Sequence, residues 1–116
     1  MIAVIDTNIF MAALLNPSGA PAILRLRWRR RQFEILISED VLAEYIDVLS
    51  HAPAIAAKDT HLLIDEIEAF SRRVEIGGTL QACKDSDDDK FLETAVTGGA
   101  DFLVTKKSQT FSSQIV

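Results

Sequence analysis

The sequence predicts an α/β fold, a three-layer α/β/α arrangement around a central parallel sheet of four to five strands. Three observations lead there. Short apolar segments alternate with longer stretches of helical spacing, and Gly, Pro and capping residues punctuate the boundaries. The first segment, Ile2 to Ile5, is apolar at every position instead of every second one. Alternating strand and helix signals build βαβ units with right-handed crossovers and helices on both faces. A strand that is apolar throughout is buried on both sides, as parallel-sheet strands are.

Ile2, Ala3, Val4 and Ile5 form the first strand, taken as the centre of the sheet, with Asp6 at its carboxyl end. Open α/β sheets bind ligands beyond the carboxyl ends of their strands, so Asp6 is the first functional candidate. Thr7 or Asn8 can cap a helix over Thr7 to Leu15, in which Ile9, Phe10, Ala13 and Leu14 follow at helical spacing. Asn16-Pro17-Ser18-Gly19 breaks it. Pro21 opens a second helix through about Arg31, with Ile23, Leu24 and Leu26 on its apolar side.

Phe33 to Ile37 is the second strand, and Ser38 caps the helix that follows, with Glu39 and Asp40 in the first turn where the dipole favours negative charge. That helix runs to about Leu49 with Val41, Leu42, Tyr45 and Val48 as its buried stripe, which leaves Glu44 beside the stripe. His51 to Ala57 reads as a turn with a short helix interrupted by Pro53. From Asp59, the spacing of Leu63, Ile67, Phe70 and Val74 marks an amphipathic helix, and Val74 to Ile76 a brief third strand. Thr79 to Asp87 is a loop. Asp88 or Asp89 starts a helix with Phe91, Leu92, Ala95 and Val96 facing inward, Gly98-Gly99 ends it, and Asp101 to Val104 is the fourth strand.

At 116 residues the chain is expected to be one domain, residues 1–116, with a single modest core. Apolar residues at 48% and charged residues at 25% are ordinary globular usage, and the apolar runs are far too short for a membrane span. Met1 leads straight into the strand with no secretory pattern, and the single Cys83 cannot form an internal disulfide, so a cytoplasmic location is expected. The net charge of −5 argues against coating by nucleic acid through the whole-molecule field. Its distribution is uneven: Arg25, Arg27, Arg29, Arg30 and Arg31 crowd one stretch, with Trp28 among them, and Asp85, Asp87, Asp88 and Asp89 another. The arginines could track an RNA backbone, or form a solvated helix face with Trp28 packed in the core or in a dimer interface. His51 and His61 are isolated and show no ligand spacing.

Taken singly, Asp6 reads as readily as a helix cap, Glu44 as a solvated glutamate and the aspartate run as decoration of a helix N-terminus. Their placement at one sheet edge changes this. Carboxylates brought together repel one another and raise their own pKa values unless a cation sits among them. Oxygen ligands without Cys or His suit Mg²⁺ or Mn²⁺ better than zinc. Such ions polarise a phosphoryl group and deliver an activated water, so the implied chemistry is phosphodiester hydrolysis.

MIAVIDTNIFMAALL, SEDVLAEYIDVL, DSDDDKFLETA and GGADFLVT resemble, in order, the motifs of the PIN-domain family, in particular its bacterial VapC-like branch of toxins from toxin–antitoxin systems. The resemblance implies a Mg²⁺- or Mn²⁺-dependent endoribonuclease, a protein antitoxin as partner and a homodimer. It carries the first acid to Asp6, the second to Glu44 and the third to Asp88, with Asp89 and Asp87 as alternatives in an ambiguous run. Metal would be held by Asp6, Glu44, Asp88 and Asp89. Asn8 matches a polar position after the first acid, and Thr105 a hydroxyl at the end of the fourth strand. Where many relatives place a fourth acid, this chain has Lys106-Lys107-Ser108-Gln109; Lys107 could hold a substrate phosphate, as could Arg29. The family's last strand and helix are expected to be shortened or missing. Two other readings remain open: a PIN-like module that binds a partner or RNA without efficient cleavage, and a phosphotransferase with Asp6 as nucleophile. Asn8 disfavours the second, which usually wants an aspartate there.

Overall fold

In the computed structural model, which describes residues 1–77 and 88–105, four parallel strands form one sheet flanked by helices in a three-layer α/β/α arrangement. The elements are β1 (Ile2–Ile5), α1 (Thr7–Leu15), α2 (Ala20–Arg29), β2 (Glu34–Ile37), α3 (Glu39–Ser50), α4 (Ala57–Phe70), β3 (Arg72–Arg73), α5 (Asp89–Gly98) and β4 (Phe102–Val104). The sheet order is β3-β2-β1-β4, so β1 is an interior strand, paired with β2 through Ala3↔Ile35 and with β4 through Val4↔Leu103. Val4, Ile5, Ile35, Leu36 and Ile37 are almost wholly buried, as strands covered on both faces must be. An aromatic chain links the helices through this core. Phe10 meets Tyr45 edge-on at 5.1 Å between ring centres, and lies 6.3 Å from Trp28, while Tyr45 lies 6.1 Å from Phe91.

Several expectations shift by a residue or two, each for a local reason. Asp6, not Thr7 or Asn8, occupies the N-cap of α1. The second helix ends at Arg29, because the backbone of Arg31 turns left-handed at φ 61°. Leu49, not Val48, completes the buried stripe of α3. No helix forms between α3 and α4, where Pro53 sits in a run of turns. The third strand is Arg72–Arg73, before Val74–Ile76: Ser71 is already extended, and Val74 N–H donates to Ile37 C=O at 2.9 Å as the pairing runs out. An edge strand pairs on one side only, so its exposed arginines are tolerated. Phe70, assigned to the apolar stripe of α4, is instead 52% exposed.

The rotation of α5 is the largest difference. Val96 points to solvent, while Glu93 and Thr94 are buried beside Phe91 and Ala95. Polar groups can be buried there because they are satisfied: Glu93 Oε2 accepts from Gly77 N–H at 3.0 Å, and Thr94 Oγ1 donates to Lys90 C=O at 2.7 Å. At the other end Gly98 packs so tightly on β2 that an added Cβ would fall 2.1 Å from Leu36 Cδ2. Among the described residues no single helix is long and apolar enough to cross a membrane.

Candidate active site

The first strand delivers Asp6 to the carboxyl edge of the sheet, where the chain leaves the ladder to enter α1. Asp6 N–H still bonds Val104 C=O at 2.9 Å, so the residue is fixed between β1 and the end of β4. Its side chain is only 7% exposed. Asp6 Oδ2 accepts from the Thr105 hydroxyl at 2.9 Å, and Oδ1 faces Asn8 N–H at 3.5 Å, long for a capping bond. Among the described residues no Lys, Arg or His forms an ion pair with Asp6. A buried carboxylate held by one hydroxyl and one stretched amide is short of positive charge. The neighbouring Thr7 Oγ1 is buried and lacks a hydrogen-bond partner among the described residues.

Glu44 comes from α3, a helix pinned at its start by Ser38, whose Oγ accepts from Val41 N–H at 3.2 Å. Ser38 Oγ also lies 2.8 Å from Thr94 Oγ1 on α5. With Thr94 donating to Lys90 C=O, the Ser38 hydroxyl donates to Thr94 and every proton in the chain is used. The two helices are thereby locked to each other at the end nearest the site. Lys90, one turn ahead of Thr94, reaches across and places its Nζ 2.8 Å from Glu44 Oε1.

Near both Asp6 and Glu44 lies Tyr45, the residue that sequence reasoning treated only as core. It is completely buried, and its hydroxyl donates to Ile5 C=O at 2.5 Å, the carbonyl immediately before Asp6. Burial drives its pKa well above 10.0, the nearby Asp6 charge raises it further, and Glu44 adds to the same effect, against a lowering by the Ile5 bond. Both acids are thus close enough to disfavour a third negative charge at one phenol. A tyrosine next to Glu44 in an otherwise aliphatic stripe was the available signal.

Asp88 and Asp89 head α5, Asp88 as its N-cap residue and Asp89 in its first turn. They do not complete a cluster: among the described residues no group of three or more His, Cys, Asp or Glu is arranged to hold a metal ion. Asn8 is exposed and approaches Asp6 through its backbone, not its side chain. Asp87, Lys106 and Lys107 lie outside the described residues. Arg29 does not join this edge. Its helix runs back along the sheet and ends where β2 begins, so Arg29 sits at the amino end of the strands, bonded with Arg25 to the buried Glu66 of α4. Trp28 is core, packed on Phe10.

A family model described as the PIN domain matches residues 3–108. The chain belongs to the PIN domain family. The matched span runs from within β1 past β4 and so contains the positions of Asp6, Glu44, Tyr45 and Thr105. Comparison with proteins of curated function returned no match. Among solved structures, this PIN domain is similar to a chain of VapBC2 from Rickettsia felis, crystallised with a DNA fragment from its promoter. The TM-score is 0.62 at 20% identity, over 96% of this chain and 91% of the other, which establishes a shared fold.

Proposed function

We propose that this PIN domain is a divalent-metal-dependent endoribonuclease, the toxin component of a toxin–antitoxin pair, and that Asp6 is its principal metal-holding acid. The observation that carries the proposal is the buried Asp6 carboxylate at the sheet's carboxyl edge, with a hydroxyl but no cationic side chain among the described residues. The donor set fits a hard cation, being oxygen throughout. Asp6 and Glu44 would hold the ion, with Asp88 or Asp89 from the head of α5. When bound, Mg²⁺ or Mn²⁺ supplies Lewis-acid polarisation of a phosphoryl oxygen and an activated water.

The chain's own residues do the positioning. Thr105 orients Asp6 through Oδ2, Tyr45 fixes the carbonyl that precedes it, and Lys90 pairs with Glu44, a charge that competes with the ion for that carboxylate. Asn8, exposed at the first turn of α1, is placed to contact RNA entering there. Support for an antitoxin partner comes from the fold shared with a VapBC2 chain, and a homodimer accords with the family.

Asp6→Asn tests the proposal. Removing the charge while keeping the shape should lower RNA cleavage by at least about 100-fold with the melting temperature retained. Full activity in a folded, nuclease-free preparation of the variant would overturn it. Lys90 beside Glu44 favours a second reading, a PIN domain that binds RNA or a partner with cleavage attenuated. Robust Mn²⁺-dependent turnover by the wild type excludes that one.

A further inference from the structure

A second feature lies at the opposite edge of the sheet. At the end of α2, Gln32 N–H bonds Arg27 C=O at 3.0 Å and Arg31 N–H bonds Trp28 C=O at 2.8 Å, the paired closure of a Schellman motif. The residue that turns left-handed in such a motif is usually glycine. Helix α5 follows the rule: Ala100 N–H bonds Ala95 C=O, Gly99 N–H bonds Val96 C=O, and Gly99 has φ 69°. Helix α2 places Arg31 there instead, at φ 61°, where an L side chain is strained. That strain is tolerable where the guanidinium has a use.

What surrounds Arg31 says what that use is. A cleft of about 400 Å³ opens between Arg29, Arg31, Phe33, Glu34 and Phe70. Phe70 presents an exposed ring, with the Arg29 guanidinium 6.0 Å from its centre. Arg25 and Arg29 are spent on Glu66, and Arg72 on Glu34. Arg27, Arg30 and Arg31 are exposed and form no ion pair among the described residues. Of the three, Arg31 lines the cleft with Phe70, and Arg27 and Arg30 are exposed at the same end of α2. A free guanidinium in a cleft with an exposed aromatic ring, flanked by two more, suits a phosphate backbone with an unstacked base against the ring.

We infer that this cleft is a second RNA-binding site, separate from the acidic edge, that takes single-stranded RNA: Arg31 contacts a phosphate within the cleft, Arg27 and Arg30 take flanking phosphates along the helix end, and Phe70 stacks a base. Its ligand class rests on the ribonuclease proposal above. The site tethers the substrate strand on the far side of the sheet from Asp6, so affinity and cleavage are set by different residues.

The test is binding of a fluorescein-labelled oligouridylate, read by anisotropy over a salt series in EDTA, with Asp6→Asn as the background so that nothing is cut. A single strand loses about 0.7 in the slope of log K against log salt for each phosphate contact released. Replacing Arg27 and Arg30 by Gln and Arg31 by Gly should therefore flatten the slope by about 2. Phe70→Ala should weaken binding by about tenfold at constant slope. Arg31→Gly alone separates binding from capping: it should melt at a higher temperature, because the strain is relieved, yet bind RNA more weakly. An unchanged slope in the triple variant, or RNA affinity unaltered by Arg31→Gly, overturns the inference, as does equal affinity for a duplex or a polyglutamate peptide. Loss of cleavage in an otherwise RNA-binding protein would refute the ribonuclease proposal alone.

Discussion

Tyr45 illustrates how much one side chain can carry in a chain this short. Its ring completes the aromatic core, its hydroxyl donates to a strand carbonyl, and its phenol feels two carboxylates. Tyr45→Phe keeps the ring but removes the hydrogen bond to Ile5 C=O, so a loss of about 0.5–1.5 kcal/mol is expected in denaturant titrations. Because folding raises the phenol pKa above its free value of 10.0, the folded state holds its proton more tightly than the unfolded one. Stability from this group is then complete below pH 10.0 and drains away as pH climbs toward the higher folded value. The wild type should show an alkaline loss of stability that Tyr45→Phe lacks. As the chain has a single tyrosine, the tyrosinate absorbance band follows the same event directly.

At the scale of elements, α5 is where inference from pattern and the folded chain part company. A stripe of Phe91, Leu92, Ala95 and Val96 is a sound helical face, but it counts Thr94 and Glu93 as outward because they are polar. Hydrogen bonds to Lys90 C=O and from Gly77 N–H reverse that cost, and such partners are invisible in a linear pattern. Strands and caps were more legible: Ile2–Ile5, Ser38 and Gly99 behave as their local chemistry dictates. Asp6 stood out for the same reason, whereas Tyr45 and the Lys90–Glu44 contact depend on α3 and α5 meeting in space. That meeting is tight. Gly98→Ala should destabilise by about 1–3 kcal/mol through Leu36, and part of the loss should return when Leu36→Ala is added, a non-additivity readable by a double-mutant cycle. Lys90→Met removes the cation beside Glu44 and should tighten Mn²⁺ binding about fivefold, the equivalent of ~1 kcal/mol, measured by calorimetry. Weaker binding instead would assign Lys90 to holding Glu44 in place.

For the molecule as a whole, the acidic edge and the arginine-rich edge are separated by the length of the sheet, which gives a net charge of −5 a polar distribution. An ion that binds the folded acidic edge and not the unfolded chain stabilises the fold by mass action. Mn²⁺ at about 100 times its dissociation constant should therefore raise the melting temperature by on the order of 10 °C. Asp6→Asn should abolish that rise without lowering the metal-free melting temperature. A rise that persists in the variant would move the ion elsewhere.

The sheet order has one more outcome, in time instead of space. Among the described strands β1 is synthesised before the others, yet one of its two neighbours, β4, is the last of them, and Ile2 N–H waits for a carboxylate 99 residues away, on Asp101. At synthesis rates of about 5–20 residues per second, the most apolar strand of the protein has an open edge for on the order of 5–20 s. Slowed elongation between β1 and β4 should therefore increase aggregation of nascent chains more than it does for folds whose first strand pairs early, measured as the insoluble fraction at reduced translation rate.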